Sequence, residues 1–339
     1  MHRSEEHTRQ LTPDLRMCRL LNGLWQVSGA HGPIDPQAAV QSMFDYHDGG
    51  FTTWDLADHY GPAEDFIGDF RRRLAAARGR EALADIQAFT KWVPQPGPMT
   101  RRIVEGAVAV SRRRMDVETL DLLQFHWWDY QDPSYLDALT YLSQLQDEGQ
   151  IRYVGLTNFD TEHLRTIVER GIRVVSNQVQ YSLVDRRPEV RMSDFCRAHN
   201  LQLLTYGTVC GGLLSERYLG QPEPGRGALN TASLRKYKQM VDAWGGWELF
   251  QELLRTLKRV AERHGVSIAN IGVRYILDRP AVAGVIIGAR LGVTDHRADN
   301  VRVFDYTLDA EDHEHIAAVL AKSRDLYHLI GDCGDEYRR

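Results

Sequence analysis

The sequence predicts an α/β protein of the (β/α)8 TIM-barrel class. Three observations carry that expectation. Eight short runs are rich in β-branched and aromatic residues, amphipathic helical patterns separate most of them, and polar or ionisable residues recur at the ends of the runs. Strands that are apolar on both faces and alternate with helices imply a parallel sheet covered by helices. Eight such units favour a closed barrel over an open sheet. No GxGxxG follows the first run, which weighs against an open dinucleotide-binding sheet.

Taken in order, Met1 to Arg16 read as a polar arm, residues 17–306 as the barrel, and residues 307–339 as a C-terminal helix and tail. Leu20 to Gln26 is an apolar run broken by Gly23, a strand entering a loop. Asp35-Pro36 reads as N-cap and first helical residue, and Val40, Met43, Phe44 and His47 follow at helical spacing. Gly49-Gly50 stops that helix. Further strands are expected at Phe51–Trp54, Ile86–Lys91, Leu120–His126, Tyr153–Leu156, Val174–Tyr181, Leu201–Tyr206 and Ala283–Ile287.

Between them lie helical patterns at Ala63 to Arg73, at Ile103, Ala107 and Val110, at Leu136, Leu139 and Leu142, and at Leu164, Ile167 and Val168. After the seventh strand, Gly207 to Gly246 is Gly/Pro-rich and reads as a long loop, of the kind that often serves as a lid. A helical pair, about Trp247–His264 and Ser267–Asp278, precedes the eighth strand. Asp309 to Ser323 reads as a last helix.

Composition excludes several function classes. Hydrophobic residues make up 43% and charged residues 26% of the 339, and the formal charge is −5. With a pI near 6.2 nothing points to nucleic acid. The clusters Arg71–Arg73 and Arg112–Arg114 fall late in expected helices, where cations suit the helix dipole. Four dispersed cysteines without CxxC spacing read as free thiols. No apolar run reaches membrane-spanning length, so a cytoplasmic protein is expected, as a monomer or homo-oligomer. His313-Glu314-His315, Asp58-His59 and His47-Asp48 lack a third ligand, so no metal is expected.

The strand ends carry the chemistry. Asp55 and Tyr60 follow the second strand, Lys91 ends the third and His126 the fourth. Thr157-Asn158 follow the fifth, Gln178 lies in the sixth, Tyr206 ends the seventh, and Gly288-Ala289-Arg290 follow the eighth. In a barrel these positions share one rim.

The same residues carry a resemblance. GGFTTWDLADHYGPAED, TKWVP, LDLLQFHWWD, GQIRYVGLTNF, SNQVQYSL, TYGTVCGGLLSERYL and VIIGARLGVTDHRADN resemble, in order, the segments of the aldo-keto reductase family from about Leu20 to Asn300. The resemblance implies NADPH-dependent reduction of an aldehyde or ketone, or the reverse, with Asp55, Tyr60, Lys91 and His126 as the catalytic group. A phenol of pKa about 10 needs a neighbouring cation to serve as acid and base, which Lys91 supplies and Asp55 fixes.

By the same resemblance Thr157, Asn158 and Gln178 hold the nicotinamide carboxamide and Tyr206 stacks on its ring. Trp25 and Gln26 line the channel. Gly207, Thr208, Gly211 and Leu213 cradle the pyrophosphate, Gly288 and Ala289 also bind the cofactor, and Arg290, His296, Asp299 and Asn300 hold the adenosine end. Thr157 stands where Ser is common, Asp299 where Glu is, and His296 where Arg or Gln is usual. Two other readings fit the residues: a cofactor-binding regulatory subunit that docks on a partner protein, and a barrel enzyme of another class using Lys91 or Tyr60. Trp25, Trp92, Trp127, Trp128 and Tyr130 crowd the expected mouth and suggest a small-molecule substrate with an apolar or planar portion.

Overall fold

The first described residues depart from the polar arm that the sequence suggests. In a computed structural model that describes residues 5–338, β1 (Thr8–Thr12) and β2 (Leu15–Cys18) form an antiparallel hairpin. Its Arg9, Gln10, Thr12 and Arg16 stay at least partly exposed, while Leu11, Leu15 and Met17 pack among Leu21, Phe89, Leu122, Leu204 and Ile286. Three apolar side chains on one face are enough to bury an otherwise polar hairpin against the closed end of a barrel.

That barrel is built from β3 (Leu20–Gly23), β4 (Thr53–Asp55), β5 (Gln87–Trp92), β6 (Leu120–His126), β7 (Ile151–Thr157), β8 (Ser176–Gln180), β9 (Gln202–Tyr206) and β10 (Val282–Gly288). All neighbours are parallel, and β10 pairs with both β9 and β3, so the sheet closes. The (β/α)8 fold is therefore present as expected. Around it, in chain order, run α1 (Pro36–Asp48), α2 (Ala63–Arg78), α3 (Arg101–Met115), α4 (Tyr135–Asp147), α5 (Thr161–Glu169) and α6 (Met192–Ala198). They are followed by α7 (Ala232–Trp244), α8 (Gly246–His264), α9 (Ile268–Leu277), α10 (Arg297–Asn300), α11 (Ala310–Leu320) and α12 (Leu326–Ile330). Among the described residues no helix is long and apolar enough to cross a membrane.

Local chemistry sets the helix starts. Asp35 accepts the Ala38 amide with Pro36 at the first position, and Thr100, Asp160, Thr231, Ser267 and Asp309 cap their helices the same way. Two segments differ most from expectation, and α6, α10 and α12 are further helices that the sequence reading leaves out. The second helix runs on to Arg78, because Leu74 continues the buried stripe past Arg73. The long segment Gly207 to Gly246 is not all loop: its second half is α7, capped by Thr231 and held by Leu234, Tyr237, Met240, Val241 and Trp244. That stripe has helical period, and the Gly/Pro-rich first half masks it in the sequence.

Alternation along each strand then decides what enters the barrel. On β5 Phe89 and Lys91 share a face, on β6 Leu122, Gln124 and His126, on β9 Leu204 and Tyr206. The lower members Phe89, Leu122 and Leu204 belong to the inner apolar cluster. Two residues further along, the same faces carry the polar groups. Register brings them level, since Lys91 pairs with Gln124 and His126 with Thr157, which pairs with Gln178. A dry plug therefore floors a polar rim.

Candidate active site

The C-terminal ends of the strands surround a cavity of about 430 Å³. Asp55, Tyr60, Lys91 and His126 all line it, from three separate segments of chain. Lys91 is 2% and Asp55 3% exposed, so neither charge is stable there alone. They pair at 2.5 Å (Nζ to Oδ2), and Nζ donates a second bond to the Leu56 carbonyl at 2.9 Å. The other carboxylate oxygen, Oδ1, accepts from Gln178 Nε2 at 2.7 Å and Gln124 Nε2 at 3.0 Å. Asp55 is thus held by three donors. Above it the Lys91 ammonium lies 5.0 Å from the centre of the Tyr60 ring.

The electrostatics follow from burial. Loss of solvent, then the Asp55 charge, holds the Tyr60 phenol well above its ordinary pKa, so it is protonated at neutral pH. Burial lowers the pKa of the Lys91 ammonium while Asp55 opposes that shift. His126 is pushed down to about 3 by burial, Arg338, His59 and Lys91, which makes its ring neutral. Its Nδ1 is buried without a partner among the described residues. A proton donor, a buried cation beside it and a neutral imidazole therefore face one space.

Of the residues expected at a dinucleotide, Trp25, Gln26, Thr157, Asn158, Gln178, Tyr206, Gly207, Gly211 and Gly288 also line the cavity. Thr157 Oγ1 and Gln26 Oε1 are buried and have no partner among the described residues. Gly288 has no room for more, because a Cβ there would meet the Gln26 amide at 2.0 Å. Others are placed elsewhere. Leu213 is fully buried in the core, the Thr208 hydroxyl donates to the Tyr181 carbonyl, and Ala289 is buried on the Gly23 carbonyl. Arg290 Nη2 donates to the His31 carbonyl at 2.6 Å. His296 is exposed, Asp299 accepts from Ser267 and Asn270, and Asn300 borders a separate small cleft. Of the five aromatic residues expected at the mouth, Trp25 and Trp128 reach the cavity. Trp92 and Trp127 are core, and Tyr130 stacks on His163.

The profile of the aldo/keto reductase family matches residues 19–321. The chain belongs to this family. It is 25% identical over 307 residues to flagellar radial spoke protein 5 of Chlamydomonas reinhardtii, a match that covers 73% of this chain and spans only 58% of that longer protein. Aldo-keto reductase YhdN of Bacillus subtilis is 26% identical, with 93% of both chains covered. An Escherichia coli protein named NADH-specific methylglyoxal reductase is 21% identical, over 82% of this chain and 87% of its own. Among solved structures, glycerol dehydrogenase AKR11B4 from Gluconobacter oxydans superposes with a TM-score of 0.77 at 24% identity, covering 94% and 96% of the two chains.

This aldo/keto reductase has site residues that strand-end reasoning misses. Gln124 lies mid-strand, where nothing in the sequence separates it from a core amide. Lys236 and Tyr237 come from α7, and Tyr337 from the last residues of the chain. The tail is strapped down. Arg187, 2% exposed, joins Asp185 (Nη2 to Oδ2, 2.8 Å) to Glu336 (2.9 Å) and the Asp332 carbonyl (3.0 Å). Gly334 (φ 89°) lies so close to the Asn158 carbonyl that a Cβ would come within 2.0 Å of it. Tyr337 is thereby delivered to the cavity, its hydroxyl 2.9 Å from that of Tyr206, which in turn donates to Asn158 at 2.8 Å.

Proposed function

We propose that this chain is an NADPH-dependent oxidoreductase that reduces an aldehyde or ketone to the alcohol, or runs the reverse reaction, with Tyr60 as general acid and base. The observation that carries the reading is the buried Lys91–Asp55 pair set against the Tyr60 ring. A bound nicotinamide dinucleotide supplies or takes the hydride. Tyr60, protonated at rest, gives its proton to the oxygen as charge develops there. Lys91 then faces a phenolate, and attraction across the gap lowers the cost of forming it. Asp55 keeps Lys91 charged, while Gln124 and Gln178 keep Asp55 in place. Neutral His126 offers a ring N–H to the substrate oxygen, a dipole that needs no rearrangement as the oxygen gains charge.

The cofactor assignment is supported by the partnerless Thr157 Oγ1 and Gln26 Oε1, by the glycine-lined approach at Gly207, Gly211 and Gly288, and by Tyr206 on the wall. Gln178 Nε2 is committed to Asp55 and Gln124, so Gln178 meets the carboxamide through its Oε1, alongside Thr157 and Asn158. Thr208 and Leu213 shape the loop from behind. The preference for NADPH rests on Arg290, since one relative is named for NADH.

The test is Tyr60→Phe, assayed by NADPH absorbance on a panel of aldehydes and ketones. General acid catalysis is worth on the order of 10²–10⁴-fold, so the rate should fall by that factor while NADPH affinity stays within a few-fold. A rate near wild type would refute the proton-donor role. Wild-type protein that turns over no carbonyl yet binds NADPH would instead favour the regulatory-subunit reading.

A further inference from the structure

The cavity holds a second cation that the reduction just described does not use. Lys236, one turn into α7, lines the wall and donates to the Tyr337 hydroxyl. Its Nζ stands 4.4 Å from the Tyr337 ring centre, 5.2 Å from that of Tyr206 and 5.6 Å from that of Tyr237. Among the described residues it forms no ion pair. Its neighbour on the same helix, Lys238, is bonded at 2.5 Å to both Glu223 and Asp242. Glu336, whose charge Lys236 does feel, has its Oε2 on Arg187.

No carboxylate therefore meets Lys236 directly. Lys91 is paired with Asp55, His126 is neutral, burial keeps the protons on Tyr60, Tyr206 and Tyr237, and Glu336 is turned to Arg187, so among the described residues the Lys236 ammonium has no carboxylate in contact. Aromatic faces partly compensate a cation that has lost water, but an anionic oxygen does so better. An unmet donor lines the same cavity: the Trp128 Nε1–H is buried without a partner among the described residues. The Trp128 ring is 4.3 Å from the ring of His126 and 6.4 Å from that of Tyr337. The Tyr337 ring itself stands 6.2 Å from His126.

We infer that Lys236, with Tyr337 beside it, selects a carbonyl substrate bearing a carboxylate. The acid group lies on Lys236 and the carbonyl at Tyr60 and His126, one tyrosine ring apart. This rests on the carbonyl-reductase reading and names its substrate class. A planar acid of that span, such as 4-carboxybenzaldehyde, is the natural probe, and its methyl ester is the neutral control.

The experiment compares both compounds on the full-length wild type, Lys236→Met and Lys236→Arg, alongside NADPH binding measured by fluorescence. A hydrogen bond to a charged group supports a loss of about tenfold to a hundredfold. Lys236→Met should raise KM for the acid by that factor, leave the ester and the NADPH dissociation constant almost unchanged, and be partly rescued by Lys236→Arg. Equal losses on acid and ester would overturn the inference. So would a matching loss of NADPH affinity, which would assign Lys236 to the cofactor pyrophosphate. If neither compound is turned over, the reductase reading fails separately, and calorimetric binding of terephthalate decides Lys236. Binding that weakens in Lys236→Met supports the anion site, and equal binding overturns it.

Discussion

Asp55→Asn is the sharpest perturbation of the site, because one atom changes and no orientation of the amide satisfies all three partners. At present Asp55 Oδ1 accepts from both Gln124 and Gln178, and Oδ2 accepts from Lys91. An asparagine amide can present its oxygen to one side only, so its NH2 meets either two glutamine NH2 groups or an ammonium. In either orientation Lys91, 2% exposed, loses its counter-charge. Removing one partner of a buried pair costs about 3–5 kcal/mol. With unfolding entropy of about 2.1 cal/mol/K per residue, a chain of 339 residues has about 0.7 kcal/mol/K, so the melting temperature should fall by about 4–7 °C.

Activity should fall as well, because an unpaired buried Lys91 sheds its proton and Tyr60 loses the cation beside it. Lys91→Met removes the cation outright, but Asp55 keeps two glutamine donors, so it should be as inactive and melt higher than Asp55→Asn. The double variant Asp55→Asn/Lys91→Met should recover part of the stability and none of the rate, which a double-mutant cycle reads directly. Thermal melts by circular dichroism and NADPH-coupled rates test this. An Asp55→Asn protein that melts within a degree of wild type and keeps its rate would refute the ion-pair argument.

Two further outcomes follow from charge and burial elsewhere. His126 titrates near 3 in the fold and about 6.5 when unfolded, so its stabilising contribution is complete above pH 6.5 and is lost as pH falls toward 3. Between pH 7 and pH 5 that is about 2 kcal/mol, and melts of His126→Asn should be correspondingly flatter over this range; parallel curves would count against a buried neutral ring. Arg187→Met removes the cation shared by Asp185 and Glu336 and should free the tail, seen as faster hydrogen exchange over residues 331–338. Unchanged exchange there would mean that Gly334 and Arg338 suffice to hold it.

How far the sequence could reach is visible in individual residues. The barrel was legible because each β/α unit writes its own local pattern. Asp55, Tyr60, Lys91 and His126 were legible because strand ends map to one rim whatever the exact boundaries. Tyr337 was not, since its place depends on Arg187 reaching Glu336 across 149 positions and on a glycine fitting against the Asn158 carbonyl. Lys236 was hidden by the helix that carries it, which reads as loop beside Gly/Pro-rich chain. Arg290 is the intermediate case. The resemblance assigns it to the phosphate that distinguishes NADPH from NADH, and the structure places it off the cavity wall, on the His31 carbonyl. His31 in turn touches Ser233 on α7 at 3.1 Å through its ring. Two roles follow, and they differ in what they predict. As a phosphate ligand, the guanidinium grips oxygens in bidentate fashion. Arg290→Ala should then raise the NADPH dissociation constant by roughly tenfold to a hundredfold and leave NADH almost untouched. As a clasp between the segment at His31 and the start of α7, it would matter equally to both dinucleotides. We expect the first result in parallel fluorescence titrations, because His31 offers only a neutral carbonyl, which a doubly charged phosphate displaces. Equal weakening of the two cofactors would refute that expectation and make Arg290 part of the closure over the channel.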